Sequence, residues 1–153
     1  MKKILISVIG GHKADKKTAR LAYDAGKMIA GLNAILICGG LSGVMEAAAR
    51  GAKDGKGVTV GILPGKNKED ANNYIDVPIP TGLGYTRNTL VAGVSDLVIA
   101  FAGKEGTLSE IGFALSEKKP VIGLNTWKIP GIIAAKSVED ARKKIIKILG
   151  LNI

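Results

Sequence analysis

Two charged side chains carry most of the chemistry this sequence offers, Arg87 and Glu110. Arg87, followed by Asn88, closes the run Thr81-Gly82-Leu83-Gly84-Tyr85-Thr86. A guanidinium grips phosphate or carboxylate through a two-pronged fork. A cation in the first turn of a helix opposes the helix dipole, so its place there needs a reason. Either Arg87 faces a ligand or it is an exposed arginine. Glu110 closes Thr107-Leu108-Ser109-Glu110, which has the spacing of an N-terminal capping box. Either that pair caps a helix, or the carboxylate sits at a ligand edge, where it stabilises developing positive charge or orients water. Just upstream, Gly103-Lys104-Glu105-Gly106 is a glycine-bearing loop with a cation on it.

Glycines recur at the ends of the apolar runs: Gly10-Gly11, Gly39-Gly40, Pro64-Gly65, and Gly103 with Gly106. Backbone without Cβ lets a ligand approach closely, and free N–H groups at a following helix attract an anion. The alternative is that these glycines only make tight turns. Gly39-Gly40-Leu41-Ser42-Gly43 is neither Gly-x-Gly-x-x-Gly nor Gly-Lys-Ser/Thr. Ser42 either caps the following helix or donates to a phosphate. Glu46 in the next turn suits the helix dipole but disfavours a phosphate on the same face. Cys38 reads as a small buried apolar residue. His12 either touches a ligand or is a solvated loop histidine. With one histidine and one cysteine, the chain offers no structural zinc set and no internal disulfide.

The elements that must position these residues alternate along the whole chain. Apolar runs at 4–9, 34–38, 58–63, 97–101 and 121–124 predict strands covered on both faces. A weaker run at 75–79 contains Pro78 and belongs at an edge. Helical patterns occupy about 16–30, 43–53, 86–94, 108–118 and 138–149, the last opening on Ser137 and Asp140 with capping-box spacing. This alternation predicts a single α/β domain over 1–153: a Rossmann-like, open, mostly parallel sheet with helices on both faces. Ligands in such sheets sit beyond the carboxyl ends of the strands, where these glycines collect.

The 153 residues suit one domain, and 46% hydrophobic with 23% charged residues suits a packed core rather than disorder. Lysine and arginine outnumber aspartate and glutamate by 22 to 13, a formal net charge of +9 that favours anionic ligands or surfaces. Nucleic acid is a remote alternative on that charge, disfavoured by 4% aromatic content and by the lack of a recognition motif. The apolar opening is broken by Gly10-Gly11 and the charged stretch 13–17 before a signal peptide develops. The longest uncharged stretch, 28–45, carries Asn33, Ser42 and four glycines and is unsuited to a membrane span. A cytoplasmic protein without membrane attachment is expected.

Four segments together resemble the SLOG superfamily of Rossmann-like proteins, which includes the LONELY GUY phosphoribohydrolases and proteins labelled lysine decarboxylases. They are Cys38 to Ala47, Gly61-Ile62-Leu63-Pro64-Gly65, Thr81 to Asn88, and Gly103 to Glu110. The likeness runs from the first strand to about Leu124 and is greatest to the molybdenum-cofactor carrier-like branch. It implies a site for a phosphorylated ligand, molybdenum cofactor or a nucleotide, with no cofactor required for folding. The ligand residues expected, from the clustered glycine loops and helix starts together with these segments, are Gly10, Gly11, Gly39, Gly40, Ser42, Gly43, Met45, Pro64, Gly65, Thr81, Gly82, Arg87, Asn88, Gly103, Lys104, Gly106, Thr107 and Glu110. The phosphoribohydrolases use Pro-Gly-Gly-x-Gly-Thr-x-x-Glu. Carried over, the pattern makes Glu110 the catalytic carboxylate and Arg87 its partner, cleaving a nucleoside 5′-monophosphate to base and ribose 5-phosphate. Ala102, Lys104, Asn88 and Glu46 depart from that pattern; the Arg87-Asn88 pair and Glu46 match the carrier-like branch. The resemblance also implies a homodimer or homotetramer. Pyridoxal-phosphate decarboxylation has no Schiff-base lysine motif here.

Overall fold

Short runs of isoleucine, leucine and valine form the strands, and the computed structural model describes residues 2–153. The strands are β1 (Leu5–Ile9), β2 (Ile35–Cys38), β3 (Val58–Leu63), β4 (Val77–Pro80), β5 (Leu97–Ala100), β6 (Val121–Gly123) and β7 (Ile133–Ala134). They pair in the order β4-β3-β2-β1-β5-β6-β7, every pair parallel. Between them run α1 (Lys16–Gly31), α2 (Val44–Asp54), α3 (Asn88–Gly93), α4 (Glu105–Ser116) and α5 (Val138–Leu149). The single-domain, Rossmann-like parallel sheet expected from the alternation is the observed one.

Continuous apolar runs arise because the central strands feed two cores. In β5, Leu97 and Ile99 join Ile6, Val8 and Leu36 under α1, α2 and α5. Val98 and Ala100 point the other way, joining Ile9, Ile37 and Ile62 under α3 and α4. All four β5 side chains are fully buried; burying each large aliphatic contributes about 1.5–3 kcal/mol. The α1–α2 pair packs backbone to backbone: a Cβ on Gly51 would lie 1.9 Å from the Tyr23 carbonyl oxygen. Only glycine fits there.

Local chemistry sets the helix ends. Asp15 accepts from the Thr18 amide at 2.7 Å to start α1. Ser137 accepts from the Asp140 amide at 3.0 Å to start α5. Asp140 reaches back one residue further than a capping box, accepting from the Lys136 amide at 2.9 Å. Gly150 ends α5 in the left-handed region, with φ of 62°.

Two helix boundaries differ from the sequence expectation. The helix expected over 86–94 is a 3-10 turn, Gly84–Arg87, running into α3. The helix expected to begin at Leu108 begins at Glu105, so Thr107 does not cap it; the cap is Lys104, which makes no side-chain bond. Thr107 and Glu110 are instead one turn apart inside α4 and both are buried. Three-residue spacing puts two side chains on one helix face as readily as it builds a capping box. The proline-containing strand is at the edge, as expected, and the opposite edge is the two-residue β7, too short to carry a periodic signal. Among the described residues, no helix is long and apolar enough to cross a membrane.

Candidate functional site

Strand order reverses between β1 and β5, and a crevice opens beyond their carboxyl ends. The two following loops are tied together: the Gly11 amide donates to the Ala102 carbonyl at 3.0 Å. Above them lies a cavity of about 640 Å³, within the range of small-molecule sites. Its wall takes Gly10, Gly11 and His12 from after β1, and Gly39, Ser42 and Met45 from after β2. The 3-10 turn and α3 supply Tyr85, Arg87 and Asn88; α4 with its cap supplies Lys104, Glu105, Gly106, Thr107, Ser109 and Glu110.

The guanidinium of Arg87 is buried in this wall, only 5% exposed. Its Nη2 donates to the Gly39 carbonyl at a long 3.4 Å, and its Nε has no partner among the described residues. The ion pairs there are Arg20–Asp24, Lys53–Asp76 and Lys144–Asp140, so Arg87 pairs with no carboxylate within 4.0 Å. Room for it comes from Gly39, where a Cβ would lie 2.6 Å from Nη2 and 2.7 Å from the Met45 Sδ. Asn88, 6% exposed, leaves its Oδ1 without a partner. A buried polar atom left unmatched costs about 1–3 kcal/mol, more when charged. Both residues line the cavity, and the two unmatched atoms themselves are closed off from it.

Glu110, 7% exposed, stands on the same wall. Burial pushes its carboxyl up to about 8, with the Arg87 charge pulling the other way. Burial therefore favours the protonated, neutral form. Burial pulls the Arg87 guanidinium below its ordinary value, opposed first by Glu110 and then by Cys38; an arginine stays charged regardless. Burial also pushes the Cys38 thiol up to about 12, so it is no nucleophile.

Gly40, Gly43, Pro64, Gly65, Thr81, Gly82 and Gly103, expected at the site, lie behind this wall, and Ser42 on it plays a structural part. Gly43, with φ of 67°, brings the start of α2 within Cβ-excluding distance of the Gly11 carbonyl. Ser42 does not cap α2; its hydroxyl donates to the His12 carbonyl at 2.8 Å, because Gly43 takes the cap position. Gly40 receives Asn72 on its carbonyl at 2.9 Å. Gly103 packs against Thr107 and the Gly11 amide. Pro64 and Gly65 accept from the Gly84 and Gly82 amides at 2.9 and 2.8 Å, and Thr81 Oγ1 donates to the Leu63 carbonyl at 2.6 Å. These bonds fix the loop that aims Tyr85, Arg87 and Asn88. Glu46 lines a different groove, between α1 and α2, so it does not face an anion held in the Arg87 cavity. Tyr85 and Ser109 are wall residues the sequence reading passed over; the signal available was Tyr85 in an uncharged segment, two residues before the arginine.

The sequence profile described as LDcluster4, the SLOG cluster4 family, matches residues 3–149. An uncharacterized protein of Archaeoglobus fulgidus is 42% identical over 146 residues, covering 95% of this chain and 94% of its own. The molybdenum cofactor binding protein of Rippkaea orientalis superposes with a TM-score of 0.92 at 38% identity, covering 97% of this chain and 99% of its own. The molybdenum cofactor carrier protein of Chlamydomonas reinhardtii superposes with a TM-score of 0.89 at 32% identity, covering 98% and 100%.

Proposed function

Because the chain belongs to the SLOG cluster4 family, we propose that it binds and carries a phosphorylated, pterin-type small molecule, with molybdenum cofactor as its cargo. The observation that carries this reading is the buried Arg87 guanidinium on the cavity wall, paired with no carboxylate within 4.0 Å among the described residues. Arg87 and Lys104 suit a phosphate group, and the backbone at Gly10, Gly11, Gly39 and Gly106 lets it approach. The Asn88 carboxamide and the Glu110 carboxyl suit the N–H and C=O edges of a pterin. Among the described residues no cluster of three metal-ligating side chains occurs, so in this reading the metal travels with the pterin. The likeness to carriers of that cofactor supports it. The test is to purify the protein from its source and oxidise a denatured extract: pterin fluorescence at near one equivalent is expected, and its absence from folded protein defeats the reading.

One observation favours a second reading, phosphoribohydrolase activity. A carboxyl held neutral to about pH 8 at the cavity wall is suited to general acid catalysis. Incubation with AMP decides it: adenine release that Glu110→Gln abolishes makes the protein an enzyme, and AMP retained intact makes it a carrier.

The assembly in this reading is a homodimer or homotetramer. The exposed residues between Thr81 and Val94, and between Gly106 and Ser116, include Leu83, Tyr85, Leu90 and Leu108 but no charge. Two chains of net charge +9 meet most easily through such a face. Light scattering should give two or four times 15.9 kDa, and Leu90→Lys should give the monomer. An unchanged mass for the variant excludes this face.

A further inference from the structure

A second groove, of about 460 Å³, lies between the amino-terminal halves of α1 and α2, behind the loops that wall the Arg87 cavity. Its floor is alanine and glycine, and its walls are Lys16, Arg20, Tyr23, Glu46, Arg50 and Tyr74. Arg20 comes from α1 and Arg50 from α2, yet both lie against one ring: their Cζ atoms are 5.6 and 5.0 Å from the Tyr23 centroid. Lys27 brings a third cation within 6.0 Å. The ring's negative face attracts each of them, but it does not neutralise them.

Carboxylates stand among these cations, Asp24, Asp54 and Glu46 against Lys16, Arg20, Lys27 and Arg50, and leave one positive charge in excess. Asp24 pairs with Arg20 at 3.2 Å. Asp54 accepts the Tyr23 hydroxyl at 2.6 Å and pairs with neither arginine. Glu46, one turn before Arg50, forms no ion pair within 4.0 Å among the described residues. Lys16, Lys27 and Arg50 likewise form none. The ring that gathers the cations is held in place by backbone contact, since Gly51 abuts the carbonyl of Tyr23 itself. The cluster is thus concave, positive, flanked by aromatic rings and preset by the helix crossing.

We propose that the α1–α2 groove is a second anion site, taking a phosphate or pyrophosphate group on Arg20 and Arg50 and seating what the phosphate carries against Tyr23 and Tyr74. Guanidinium forks match phosphate oxygens in pairs, and the volume suits a small molecule. The site is separate from the Arg87 cavity and stands whether or not the carrier reading does.

Calorimetric titration with inorganic pyrophosphate tests it. The natural chain should show a groove event that Arg20→Gln/Arg50→Gln weakens at least tenfold and Arg87→Met leaves intact. Both arginines are exposed, so the double variant folds. A control with the same charge change, Lys143→Gln/Lys147→Gln on the outer face of α5, should leave the event unchanged. The proposal is overturned if pyrophosphate does not bind, if its binding is lost only with Arg87, or if the α5 control weakens it equally. A ten-nucleotide oligothymidylate separates the sources of phosphate. Tighter binding than pyrophosphate, lost in the arginine double variant, assigns the groove to a phosphodiester chain; weaker binding assigns it to a small phosphorylated molecule.

Discussion

Arg87→Met should bind AMP about a hundredfold more weakly than the natural chain while being no less stable without ligand. Removing one partner of a buried, hydrogen-bonded charge pair costs about 2–5 kcal/mol of binding, and a hundredfold sits within that range. Ordinary core arginines lose stability when truncated, because their pairs and bonds go with them. Arg87 has little of this to lose: one long 3.4 Å bond to the Gly39 carbonyl, an unpartnered Nε and no ion pair among the described residues. Replacing a buried charge by a packed apolar chain is often neutral, or stabilising by about 1–4 kcal/mol. Denaturant unfolding beside calorimetric titration reads both halves. Loss of stability by several kcal/mol would make Arg87 a structural residue and remove the main support for the cavity as an anion site.

The same contrast explains which features were legible in the sequence. The sheet was, because β5 is apolar on both faces and the following Phe101 to Gly103 marks its end; such runs admit few other readings. The β4 edge was, because Pro78 cannot donate to a neighbouring strand. That Arg87 and Glu110 share a wall with Gly39 followed from strand ends meeting at one rim. Their burial did not follow, because burial depends on how the 3-10 turn packs beside β3 and α3. That turn is set by bonds from Pro64 and Gly65 to Gly84 and Gly82, which no local spacing reveals. The Thr107–Glu110 pair shows the limit most clearly. Its spacing is shared by a cap and by a helix face, and only the packing of Thr107 against Gly103 decides between them. Glu46 stands in the first turn of α2 as expected, but that position says nothing about which of two cavities the turn faces.

Stability should fall as pH rises from about 4.5 to about 8, and Glu110→Gln should remove that loss. The folded chain holds the Glu110 carboxyl at about 8 through burial, against an ordinary 4.5. Between those values the folded state binds a proton that the unfolded state has released, so unfolding becomes easier as pH rises. The contribution is fully present below the unfolded value and gone above the folded one. Each unit of difference is about 1.4 kcal/mol, so the window holds several kcal/mol. The ligand follows the same proton. Ionised Glu110 neutralises the field of Arg87 and repels a phosphate, so AMP affinity should fall up to tenfold per pH unit above about 8 in the natural chain and stay level in Glu110→Gln. Denaturation midpoints and AMP titrations from pH 5 to 9.5 on both proteins check this. Parallel profiles would mean that Glu110 is already ionised near neutrality and satisfies Arg87 from within, leaving that wall no unmet charge for a cargo to answer.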